Sequence, residues 1–86
     1  MSDNVGMQIG TVTAYFAKPE VAIFELVEDL EVGDVIRIKG HTTDILMQIT
    51  SMQINKVDFK KVPAGSEVGV KVDDKCRKGD IVYWGK

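Results

Sequence analysis

Leu30-Glu31-Val32-Gly33-Asp34-Val35-Ile36-Arg37-Ile38-Lys39-Gly40 carries the reading of the fold. Gly33 supplies a position that tolerates a positive φ angle, and Asp34 is a turn former. From Val35 the chain alternates apolar and basic, so Ile36 and Ile38 point one way and Arg37 and Lys39 the other. That period of two is a half-buried β-strand ended by Gly40. The same order, a glycine and an acidic residue before an alternating apolar run, recurs in Pro63-Ala64-Gly65-Ser66-Glu67-Val68-Gly69-Val70-Lys71-Val72. It recurs again in Arg77-Lys78-Gly79-Asp80-Ile81-Val82-Tyr83.

Outward from these phrases, Met7 to Phe16 reads as a strand with Val12, Ala14 and Phe16 on one side. Lys18-Pro19-Glu20 breaks it, because proline offers no ladder donor. Val21 to Glu28 is a second strand, and Asp29 to Asp34 a turn. Ile45 to Phe59 exceeds one ordinary strand and reads as two strands, or one strand slipping near Ser51-Met52. Val62-Pro63-Ala64-Gly65 suits a type I turn, Glu67 to Val72 a strand, and Ile81 to Trp84 the last strand. No stretch repeats its apolar residues at three and four. The expected fold is all-β: a small closed barrel of six to seven antiparallel strands, since closure removes exposed edges.

The 86 residues make one domain over 1–86, with the barrel at about 7–85 and residues 1–6 expected to be flexible. A chain this size buries about 60% of its unfolded surface, enough for a single core. The formal net charge is −2, so the molecule as a whole is no magnet for nucleic acid. Residues 1–43 carry three basic and seven acidic side chains, residues 44–86 eight and six, which leaves room for a local basic face. One cysteine, Cys76, excludes an internal disulfide and fits a reducing compartment. The start has no basic leader with an apolar run, and the longest apolar run, Val21 to Phe24, is far below the ~20 residues of a membrane span. A cytoplasmic location and no membrane partner are expected.

Catalytic chemistry lacks its groups. Arg77-Lys78-Gly79-Asp80 reverses the order of a phosphate-binding loop, so no nucleotide is expected. A lone histidine and a lone cysteine, 35 positions apart, do not make a metal site. Lys75 and Arg77 flank Cys76, and adjacent positive charge lowers a thiol pKa, yet a small semi-buried turn residue is the plainer reading. No enzyme, cofactor or metal is expected. Met47 and Met52 read as core, and Trp84 as a side chain closing one end of the barrel.

Taken in order, Gly10-Thr11-Val12, Val32-Gly33-Asp34 through Gly40, Met52-Gln53-Ile54, Ala64-Gly65-Ser66-Glu67-Val68-Gly69 and Arg77-Lys78-Gly79 resemble the second domain of elongation factor Tu-type GTPases. Ile38-Lys39-Gly40-His41-Thr42-Thr43-Asp44 and Ser51-Met52-Gln53-Ile54 are similar to two narrower groups. These are stand-alone translation elongation factor-like proteins, and the C-terminal barrel of collagenase-type peptidase-family proteins, some tied to RNA modification. The resemblance implies a translation-factor barrel without its GTPase, engaging RNA or a ribonucleoprotein. It also implies an alternative, a protein-interaction adaptor that docks to a separate peptidase-like or RNA-modifying enzyme. Aminoacyl-tRNA binders of this type carry an arginine-bearing segment before Gly-Thr-Val, where this chain has Gly6-Met7-Gln8-Ile9. The candidate binding residues are Lys39, His41 and Thr43 near the 40–44 loop, with Asn55 and Lys56 after the Met52-Gln53-Ile54 step.

Overall fold

The computed structural model describes residues 6–85, all of whose regular structure is β. In chain order the strands are β1 (Gln8–Phe16), β2 (Val21–Leu26), β3 (Leu30–Glu31), β4 (Val35–Lys39) and β5 (Asp44–Gln48). There follow β6 (Met52–Ile54), β7 (Val57–Asp58), β8 (Lys61–Val62), β9 (Glu67–Lys71) and β10 (Ile81–Trp84). Eight of them form one antiparallel sheet in the order β5-β4-β10-β1-β2-β9-β6-β7, and β3 pairs with β8 separately.

The expected closed barrel of six to seven strands is corrected in two respects. Leu30-Glu31 and Val62, read as parts of turns, are paired as Leu30↔Val62 and Glu31↔Lys61, and the 45–59 stretch, which breaks before Met52 as expected, is divided once more by an Asn55-Lys56 turn. The ladder also does not close on itself, because β5 and β7 are its ends. The β3–β8 pair bridges toward both ends through single bonds. Val32 N–H donates to the Lys60 carbonyl at 2.8 Å, and Gly33 N–H to the Ile49 carbonyl at 2.8 Å.

The recurring Gly-Asp phrases have one physical cause. In 31–34 the Asp34 N–H donates to the Glu31 carbonyl at 3.1 Å, while Asp34 Oδ2 accepts the Glu31 N–H at 2.9 Å. In 77–80 the Asp80 N–H donates to the Arg77 carbonyl at 3.0 Å, and Asp80 Oδ2 accepts the Arg77 N–H at 2.9 Å. Gly33 and Gly79 hold φ at 102° and 96°, which only glycine adopts without strain. The third phrase turns over Pro63 to Ser66 with Gly65 at φ 90°, one residue later than expected and with the positive third position of a type II turn. Proline has no N–H to cap, so serine suffices where the other turns use aspartate.

β1 pairs with β10 over Gln8–Thr11 and with β2 over Gly10–Phe16, shifting register against β10 between Gln8 and Gly10 and against β2 between Val12 and Ala14. The second shift breaks the expected single face: Val12 is buried, Ala14 half-buried and Phe16 51% exposed. Phe24 is the largest fully buried side chain. It packs in one core with Val12, Leu26, Ile36, Ile38, Val68 and Val82, while Leu30 and Val62 bring the β3–β8 pair onto the same core. Each such side chain contributes about 1.5–3 kcal/mol by leaving water. Met47 and Met52 are buried as expected, and Trp84 packs half-buried against the core. Of the expected flexible start, residues 1–5 lie outside the described residues, and Gly6 N–H donates to the Trp84 carbonyl at 2.9 Å.

Candidate functional site

Asn55 and Lys56 form the two-residue loop of the β6–β7 hairpin, between the paired Ile54 and Val57. Both have positive φ, 52° and 65°, as a tight hairpin turn of the primed type requires. Asparagine tolerates that conformation, whereas lysine at the second position stands where glycine is usual. Strain of this kind persists where the surrounding structure enforces it and often marks a working site.

The hairpin forms one wall of a cleft of about 420 Å³. Its opposite side is Phe16 and Pro19 from the β1–β2 turn, and its floor is Val21, Ile23 and Gly69 of β2 and β9, with Gln53, Ile54 and Glu67 completing the lining. Gly69 lies opposite Ile23 and Gln53 in the ladder, and having no side chain it keeps the floor low. Gln53 Nε2 donates to Asp58 Oδ1 at 2.8 Å, which holds the rim amide, while the single Thr13 hydroxyl proton is divided between the Ile23 carbonyl and Glu67 Oε2, each at 3.3 Å. The result is a shallow apolar slot with an exposed aromatic ring on one side and amide and ammonium groups on the other.

The other sequence-derived candidates lie elsewhere. Lys39 is an exposed residue of β4 and shares with Arg37, Tyr83 and Trp84 a second cleft of about 370 Å³. His41 is exposed in the 40–44 loop. Thr43 is buried at 6% exposure, its carbonyl accepts the Gly40 N–H at 2.9 Å, and it lines a small hollow with Tyr15, Lys75 and Cys76. Asn55 and Lys56 therefore share a site, and Lys39 belongs to a different one. Phe16, Gln53 and Gly69 are members of the first cleft that sequence reasoning missed. Only the register shift in β1 turns Phe16 outward, and no period-two pattern signals it.

Cys76 is 4% exposed, and burial, followed by the Asp80 carboxylate, pushes its thiol up to about 11. The flanking Lys75 and Arg77 do not lower it, because both side chains are exposed while the sulfur faces the interior. Among the described residues no group of three or more histidine, cysteine or carboxylate side chains is placed to hold a metal ion. Among the described residues no helix is long and apolar enough to cross a membrane.

No family model matches the chain. It is 42% identical over 78 residues to an uncharacterised protease of Methanocaldococcus jannaschii, a match covering 90% of this chain and 19% of that protein. A collagenase of Porphyromonas gingivalis is 30% identical over 77 residues, covering 87% of this chain and 21% of the collagenase. The chain thus spans about a fifth of the length of the curated relatives it matches. Among solved structures, the C-terminal domain of a Geobacillus thermoleovorans protein assigned to the U32 peptidases superposes with a TM-score of 0.83. The match covers 88% of this chain and 96% of that domain at 14% identity. The bacterial selenocysteine-specific elongation factor EF-Sec matches with a TM-score of 0.71 at 16% identity, covering 98% of this chain and 15% of the factor. At these identities the superpositions establish the fold alone: the antiparallel β-domain found at the C-terminus of a U32 peptidase and within a translation factor.

Proposed function

We propose that this chain is a non-enzymatic, translation elongation factor-like binding module that engages the unpaired end of an RNA strand. The carrying observation is the cleft itself, which sets the strained Asn55-Lys56 turn and the exposed Phe16 around an apolar floor. A base stacks on an aromatic ring for about 1–3 kcal/mol, and a lysine beside it neutralises phosphate. Gln53 and Asn55 supply amide donors and acceptors to a base edge. The likeness to part of EF-Sec is one of fold alone, and the translation reading rests on the resemblance of the sequence phrases to translation-factor domains.

Fluorescence anisotropy with a labelled single-stranded RNA, at about 50 and 150 mM salt, tests this reading. Lys56→Ala is expected to weaken binding uniformly across sequences and to reduce the salt slope by about 1. Phe16→Ala is expected to cost about tenfold through lost stacking. Lys39→Ala, in the other cleft, serves as the control and leaves affinity within about twofold. Affinity unchanged by both Lys56→Ala and Phe16→Ala overturns the assignment.

A second reading is a protein-docking adaptor beside a peptidase-like or RNA-modifying enzyme. It is favoured by the 42% identity to one fifth of a protein named a protease. It predicts no RNA affinity, and a complex with a peptidase-like domain that ribonuclease leaves intact.

A further inference from the structure

β5 is an open end of the sheet, with β4 as its sole strand neighbour. In an antiparallel pair, alternate residues turn both N–H and C=O toward the partner strand. The Gly40 N–H bond to the Thr43 carbonyl (2.9 Å) and the Ile49 N–H bond to the Asp34 carbonyl (2.8 Å) continue the register of Ile38↔Ile45 and Ile36↔Met47. Those are therefore the hydrogen-bonded pairs. Asp44, Leu46 and Gln48 consequently turn their main-chain groups away from β4, and nothing among the described residues bonds to them.

Such an edge is normally blunted by lysine, proline, a bulge or extreme shortness. β5 has five residues, none of them lysine or proline, and pairs with β4 without a register shift. Leu46, at its centre, is 53% exposed. The Asp44 carboxylate already accepts a bond from Arg37 Nη1 at 2.6 Å, so it brings no uncompensated charge.

We propose that β5 is a self-association edge, across which a second copy of this chain pairs β5 to β5 about a twofold axis through Leu46. The strand is self-complementary in this register. Leu46 meets Leu46, Asp44 meets Gln48, and the three pairs so formed are those whose main-chain groups already point outward. Each pair makes two main-chain bonds. On the inner face Ile45 falls opposite Met47. A register displaced by two residues loses a pair and sets Asp44 against Leu46, and one displaced by four sets Asp44 against Asp44. Two five-residue strands bury far less than the roughly 1,200–2,000 Å² of a stable interface, so the dimer is weak and reversible. The inference is independent of the RNA reading, which uses the β2–β9–β6 cleft.

Sedimentation equilibrium and amide hydrogen exchange from roughly 20 µM to 1 mM test it, a range suited to weak association. The mass is expected to rise toward the dimer, and the Asp44, Leu46 and Gln48 amides to gain protection with concentration. The Ile45 and Met47 amides, bonded to β4, are expected to stay protected throughout. Leu46→Lys sets like charges against each other across the axis and is expected to weaken association at least about tenfold. Gln48→Asp, which faces Asp44 with a second carboxylate, gives the same direction should the first variant lose its folded spectrum. A monomer across the whole range, or association that neither substitution weakens, overturns the proposal.

Discussion

Asp80 fills the space that a side chain on residue 40 would need. A Cβ built on Gly40 falls onto the Asp80 carboxylate, which is itself buried at 7% exposure and bonded to the Arg77 N–H. The strand-ending Gly40 and the strand-starting Asp80 are thus one packing unit joining β4 to β10. Gly40→Ala is expected to destabilise by about 2–3 kcal/mol, through displacement of a buried bonded carboxylate. Urea denaturation checks this, and an unchanged midpoint refutes it.

The two equivalent turns differ in burial, which gives a paired prediction. Asp34 and Asp80 each bond a main-chain N–H three residues back, but Asp34 is half-buried and Asp80 buried. Losing the bond at 34 exposes Glu31 N–H to water and costs about 0.5–1 kcal/mol, whereas losing it at 80 strands the Arg77 N–H and costs about 1–3 kcal/mol. Thermal unfolding of Asp34→Ala and Asp80→Ala is expected to rank them in that order.

Cys76 sets an alkaline limit. Its folded thiol titrates near 11 against an ordinary 9.0, so between those values the folded state holds a proton that the unfolded state releases. Unfolded chains then bind fewer protons, and stability falls as pH rises. The contribution is whole below pH 9.0 and is lost progressively toward about 11. Cys76→Ala is expected to flatten the stability profile in that window. Alkylation of the native protein is expected to be slow at neutral pH and to accelerate with pH.

Lys56 trades conformational ease for charge. Replacing it by glycine at φ 65° relieves the left-handed strain and is expected to stabilise the hairpin by about 0.5–1 kcal/mol. The same change removes the cleft's lysine and is expected to weaken RNA binding. Gains in melting temperature and losses in affinity from one variant separate the two roles, and a variant that moves neither contradicts both.

Period-two alternation by itself determines β4, β9 and β10, and the Gly-Asp phrases locate the turns ahead of β4 and β10, because those signals are local. A glycine's φ and an aspartate's reach to a nearby N–H depend on four consecutive residues. What alternation could not specify was anything set by a partner across the sheet. The β1 register shift that turns Phe16 outward, the pairing of Leu30-Glu31 with Lys61-Val62, and the open ends at β5 and β7 all depend on contacts distant along the chain. The candidate site divided along the same line. Asn55 and Lys56 were legible as neighbours, whereas their separation from Lys39, the burial of Thr43 and the depth at which Cys76 sits were decided by tertiary packing. Side chains far apart in sequence settle which surfaces are joined and which charges lose their water.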